Sequence, residues 1–182
     1  RGLCQDMGKP PLADYLLNGF WQYAGEIAHH WATSIITYNI NALNAAEKFL
    51  AQSALQAWHE VTNLVFVQVS GTANITYNHN GSMQAFENDS YNASGIMSSA
   101  TIDISANWVT TDGGANDGKT GIDSYAYQTY IHETGHALGL GHQGPYNGSG
   151  TYSTNATYAN DTWQYSVMSY FSEPSYNGGS YR

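Results

Sequence analysis

The stretch 132-HETGHALGLGH-142 decides how this 182-residue chain is read. It holds three of the chain's seven histidines, His132, His136 and His142, and the acidic Glu133. Residues i and i+4 of an α-helix lie one above the other on the same face. A helix here therefore aims the imidazoles of His132 and His136 at one place. Zinc, bound by imidazole nitrogen at about 2.0–2.1 Å, requires that convergence. Glu133 is turned about 100° around the helix from His132. It stands beside such a site rather than on it, where a general base for a metal-activated water belongs. Gly139 follows His136 by three residues and takes positive φ without strain, so it can end the helix and reverse the chain. His142 then approaches from another side. Three nitrogens and one open position make a catalytic zinc site rather than a closed structural one. A bare HExxH recurs in unrelated chains; the longer HExxHxxGxxH fixes enough positions to make chance improbable.

Composition narrows the function classes. The length fits one domain, with two lobes around a cleft. Net charge is −9, from 14 acidic and 5 basic residues. Phosphate neutralisation needs Lys and Arg, so nucleic acid is not an expected partner. An anionic membrane surface is disfavoured for the same reason, and no apolar run approaches a membrane span. The field of such a chain favours cations. Charged residues are only 10%, and a polar but sparsely charged surface suits a secreted, extracellular protein. Cys4 is the one cysteine, so no disulfide forms within the chain. A metal is the usual alternative staple.

Around the motif, periodicity predicts an α+β order. Residues 12–23 read as a short helix or packing segment broken at Asn18-Gly19. Residues 33–40 read as a strand, and 42–60 as the clearest helix, capped by Asn41 or Asn44. Its expected apolar face is Leu43, Ala46, Phe49, Leu50, Ser53, Ala54, Ala57 and Trp58. Strands are predicted at 64–70 and 73–78. Residues 79–99 read as polar and turn-rich, with a short strand at 83–87; a further strand follows at 100–105. A Gly/Asp loop at 111–124 precedes a helix from about 125 to 138. In that loop Asp112, Asn116, Asp117 and Asp123 offer oxygen ligands of the kind calcium takes; the alternative is a solvated loop. His29, His30, His59 and His79 show no ligand spacing.

The motif followed by 166-SVMSYFSE-173 resembles the metzincin clan of zinc endopeptidases. Within the clan, 135-GHALGLGH-142 and 166-SVMSYFSE-173 resemble the serralysin family of bacterial secreted metalloproteases. The stretches 54-ALQAWHEVTNLVFVQV-69 and 101-TIDISANW-108 are similar in character to that family's catalytic domain. The resemblance implies a metzincin-type catalytic domain: a twisted mixed sheet, two long helices above a zinc cleft and an irregular C-terminal lobe. The expected division is an upper lobe of about 1–142 and a lower lobe of about 143–182.

The resemblance also implies roles. Zinc ligands are expected at His132, His136 and His142, with Glu133 as general base and acid. Met168 is expected as the floor of the site. Tyr170 is expected as a resting ligand that swings away to hydrogen-bond the oxyanion. The substrate would be an extended protein or peptide pairing with a strand edge, with 83-MQAFE-87 as the candidate. The family's glycine-rich calcium-binding repeats are absent from this sequence. That leaves an isolated catalytic domain, a proteolytic product or one piece of a larger assembly, with a missing C-terminal segment or a proteinaceous inhibitor as candidate partners. Gln143 stands where the family usually has proline. Tyr146, Tyr152, Tyr158 and Trp163 are expected to line the pocket. Cys4 could latch the metal. The competing reading is a relative that keeps zinc but is catalytically silent.

Overall fold

The computed structural model describes residues 12–172. The extended lead-in expected at 1–11, Cys4 and Glu173 lie outside the described residues. In chain order, α1 (Leu12–Asp14) runs through one π-helical turn, Tyr15–Gly19, into α2 (Phe20–Ala24). There follow β1 (Ile35–Asn39), α3 (Ala45–Val61), β2 (Val65–Gln68), β3 (Ile75–Asn78), β4 (Ala85–Tyr91), β5 (Met97–Ile104), α4 (Ala106–Thr110), α5 (Tyr125–Ala137) and α6 (Tyr152–Asn155). The chain divides into two compact units. One is residues 29–140; the other joins the N-terminal segment up to residue 28 with the chain from residue 141 onward. The expected lobes put that N-terminal segment with the sheet instead.

The unit of residues 29–140 is built on a five-stranded mixed sheet in the order β2-β1-β3-β5-β4. β1 pairs in parallel with β2, from Ile35 opposite Val65 to Tyr38 opposite Gln68. β3 pairs in parallel with both β1 and β5. Parallel neighbours need a crossover, and α3 provides the one between β1 and β2. β4 is antiparallel to β5 and forms an edge of the sheet. The connection there is only a short turn. Asn92 Oδ1 accepts from the N–H groups of Ser94 and Ile96, and Gly95 takes φ +74°. The sequence AFENDSY alternates half-buried and exposed positions along β4. Its polar outward residues are why 79–99 reads as turns: the strand runs to Tyr91, and β5 starts at Met97 rather than 100.

Ile36, Ile75, Ile102 and Ile104 are fully buried and form the sheet's contribution to the core. From α3 come Leu50, Ala51, Ala54 and Leu55. The expected apolar face is therefore rotated, and Phe49 is 53% exposed. Glu47 takes a buried place on that face, with one carboxylate oxygen bonded locally. Asn44 Oδ1 accepts from the Ala46 and Glu47 N–H groups, while Glu47 Oε2 accepts from Asn44 N at 2.8 Å, a complete capping box. His79 Nδ1 lies 2.7 Å from the same carboxylate oxygen.

Two further expectations are corrected. The strand expected at 100–105 ends at Ile104. Ser105 O accepts from the N–H of Trp108 and Val109, which opens α4. The N-terminal segment is not broken at Asn18-Gly19. A widened π turn carries the chain through that pair, and Asn18 Nδ2 donates back to Asp14 Oδ1 at 2.8 Å.

Replacing Asn44 by Ala removes the acceptor for two helix N–H groups. We expect a loss of about 1 kcal/mol, read as a lower urea midpoint at unchanged slope.

Candidate metal centre

The site begins with how α5 starts and stops. At its N-terminus, Ser124 Oγ accepts from Tyr127 N at 3.0 Å, and Asp112 Oδ1 accepts from Ala126 N at 2.6 Å. Two of the helix's orphan donors are thereby satisfied. Trp58 on α3 donates its indole N–H to Ile131 O at 3.0 Å, and Tyr77 and Thr134 share a buried hydroxyl pair at 2.9 Å. The helix is pinned on both sides of His132.

At its C-terminus the helix closes in a Schellman motif. Gly139 N donates to His136 O at 2.7 Å and Leu140 N to Gly135 O at 3.1 Å. Gly139 sits at φ +93°, and a Cβ there would overlap the carbonyl oxygen of His29. Both the left-handed backbone and the close approach require glycine. Trp31 caps another terminal carbonyl, donating its indole N–H to Ala137 O at 2.8 Å.

The turn that ends the helix also orients an imidazole. His136 Nδ1 lies 2.7 Å from Leu140 O, which fixes the Nδ1–H tautomer and leaves Nε2 as a lone pair. His132 Nε2 is 3.1 Å from His136 Nε2. Burial, then the neighbouring His132, push His136 down to about 3, so it stays neutral. His142 is held in the same way, with Nδ1 2.9 Å from Tyr146 O. One ligand nitrogen from each of His132, His136 and His142 falls within 4.8 Å of the others. Three imidazoles, two of them with Nδ1 engaged by a backbone carbonyl, suit a borderline-soft divalent cation, and zinc fits this donor set. Glu133, 7% exposed, is pushed up to about 8 by desolvation. A cation held by its neighbours would draw it back down.

Tyr170 packs edge-on against His142, centroids 4.4 Å apart, and its phenol oxygen accepts from Gly148 N at 3.2 Å. Met168 is 1% exposed. Gln143 is fully buried and donates to Asn160 O at 3.0 Å. Of the expected pocket aromatics, Tyr146 stacks on His142, while Tyr152 donates to Ala159 O and Trp163 to Ser169 O. Tyr158 meets Tyr15 edge-on at 5.8 Å.

Three of the expected calcium residues make local hydrogen bonds. Among the described residues, the triad is the metal-capable group of His, Cys, Asp and Glu side chains. Asp112 caps α5, and Asp117 accepts from Lys119 N at 3.0 Å. Asn116 donates to Gly114 O. His29 stacks on Tyr91 at 4.3 Å and lies 2.7 Å from Asp89. Sequence reasoning missed the carbonyls of Leu140 and Tyr146, since any residue supplies a carbonyl. Ser124 as a cap was legible from its residue type.

Comparison with known proteins places these residues among relatives. Residues 29–154 match the matrixin family model, Peptidase_M10. Serralysin C of Dickeya chrysanthemi is 39% identical over 152 residues, covering 74% of this chain and 30% of that protein. Metallopeptidase AprA of Pseudomonas marginalis is 37% identical over 141 residues, covering 74% and 28%. Serralysin of Photorhabdus sp. (strain Az29) is 34% identical over 140 residues, covering 73% and 28%. The chain spans less than a third of the length of these curated relatives. Among solved structures, myroilysin matches with a TM-score of 0.41 and 24% identity, over 62% of this chain and 52% of that one.

Replacing Gly139 by Ala forces a left-handed residue with a side chain against the His29 carbonyl. We expect at least about 1–3 kcal/mol of lost stability, together with weaker zinc binding. Thermal unfolding and zinc titration measure the two.

Proposed function

This chain belongs to the matrixin family of peptidases, as a serralysin-like metzincin, and from that premise we propose that it cleaves peptide bonds of extracellular proteins with one zinc ion. The observation that carries the reading is the convergence of three imidazole nitrogens, from His132, His136 and His142, within 4.8 Å. Glu133 lies next to the first of these in sequence, on the same helix. The matched family segment, residues 29–154, contains all four.

Zinc, when bound, supplies Lewis acidity toward water and the scissile carbonyl. The chain's own residues do the rest. Glu133 takes a proton from the attacking water and passes it to the leaving amine. Burial raises this carboxyl, and a bound cation would bring it back toward its ordinary range, where it is ionised and can accept the proton. Tyr170 donates its phenolic O–H to the developing oxyanion, and at rest it is a further candidate zinc ligand. Gly148 N, donating to the phenol oxygen, would leave that proton directed away from the loop. Met168 is the proposed floor of the site. An extended substrate would add to the edge strand β4, Ala85–Tyr91, which is longer than the 83–87 candidate and lies at the margin of the sheet. No described helix is long and apolar enough to cross a membrane, and secretion accords with the sparse charge of the chain.

Casein cleavage by the purified chain should vanish with phenanthroline and return with zinc. Glu133→Gln should lower kcat by about 10²–10⁴-fold while zinc stays bound at one per chain. Parental activity in that variant would overturn the assignment of the base. Tyr170→Phe should lower kcat by about 10²-fold with little change in KM, as expected for an oxyanion donor. A zinc-bound parent without turnover on casein, gelatin or a peptide library would favour the silent relative instead.

A further inference from the structure

Residues 141–172 carry a polar chain that the endopeptidase reading leaves unused. Tyr146 is 2% exposed, and its phenol donates to Asp161 Oδ1 at 2.8 Å. Asp161 is fully buried. Ser169 Oγ accepts from Phe171 N at 3.1 Å. At its backbone end, Tyr146 O holds Nδ1 of His142 at 2.9 Å. Its ring packs on Tyr170 with centroids 4.9 Å apart. Gly144 lets the loop close on this carboxylate. A Cβ there would stand 2.8 Å from Asn155 O and 3.0 Å from Asp161 Oδ2.

A carboxylate is a costly choice for such a place. Burial disfavours its charged form, and Oδ2 is buried with no hydrogen-bond partner. An apolar residue of similar volume would remove that penalty. What the carboxylate provides is an acceptor for the phenol of Tyr146, the residue whose carbonyl holds His142.

We infer that Asp161 is a positioning residue for His142. Through the Tyr146 phenol it fixes the carbonyl that engages Nδ1, and so the direction of the Nε2 lone pair. The inference rests on the zinc reading above and adds a residue pair, Asp161 and Tyr146, to it. Groups that orient a metal-binding histidine are commonly worth about 10- to 100-fold in metal affinity.

The test is the zinc dissociation constant of the full chain, measured by competition with a chromophoric chelator, alongside thermal unfolding of each metal-free variant. Tyr146→Phe deletes one hydroxyl and keeps the ring, so folding is retained. It should weaken zinc about tenfold, and Asp161→Ala about 10- to 100-fold. Asp161→Asn keeps an oxygen acceptor and should stay within about threefold of the parent. Tyr146→Phe with Asp161→Ala should be no weaker than Asp161→Ala alone, because both break one linkage. Cobalt substituted for zinc should show an altered visible spectrum in Tyr146→Phe and a parental one in Asp161→Asn. Parental zinc affinity in Tyr146→Phe, or equal losses in Asp161→Asn and Asp161→Ala, would overturn the inference. Should Asp161→Ala fail to fold, the Tyr146→Phe and Asp161→Asn results decide. A parent that binds zinc no better than His142→Ala would instead bring down the metal reading itself, and this inference with it.

Discussion

The end of α5 is the constraint on which the rest depends. At Gly139 the backbone turns left-handed, with the His29 carbonyl occupying the space a side chain would need. That single turn closes the helix through the Gly135 and His136 carbonyls, delivers Leu140 O to the imidazole of His136, and redirects the chain toward His142. Gly141 continues the demand for close approach: its N–H donates to Leu16 O at 2.7 Å, and a Cβ there would overlap the Phe20 ring. The glycines of the motif are thus structural requirements of the histidines' geometry.

The sheet supplies the rigid frame from which α5 is held. Tyr77 on β3 meets Thr134, Trp58 on α3 meets the Ile131 carbonyl, and Trp31 meets the Ala137 carbonyl. Each of these bonds joins a large, mostly buried side chain to the helix, so the helix keeps its rotation as well as its position. Rotation matters because the i, i+4 arrangement directs two imidazoles at one point only if the helix face stays fixed. The polar groups involved are paired, which is what lets them be buried at modest net energy.

Two carboxylates illustrate how local context decides what burial means. Glu47 is buried on the core face of α3, yet its bonds to Asn44 N and His79 satisfy one oxygen, and it closes a helix cap. Glu133 is buried on α5, and burial alone raises it, to about 8. Position relative to backbone donors separates a stabilising cap from a candidate proton carrier. A helical wheel drawn from sequence treats both as polar residues and would put both on the outside.

By itself the sequence determined the identity of the three histidines, the helix bearing two of them, its stop at Gly139 and the mixed α+β order. Each of these follows from local rules, namely residue type, spacing and the conformational freedom of glycine. The alternation of β4 was present in AFENDSY, but its polar residues hid it, because an edge strand exposes half of its side chains. Only the tertiary structure decided which carbonyls engage His136 and His142 and that Asp112 caps α5 from fourteen residues away. It alone paired Asp161 with Tyr146, and it rotated the buried face of α3 past Phe49. The physical reason is the same in each case. These outcomes depend on segments distant in sequence meeting in space, where backbone groups common to every residue do the binding and leave no mark in residue type.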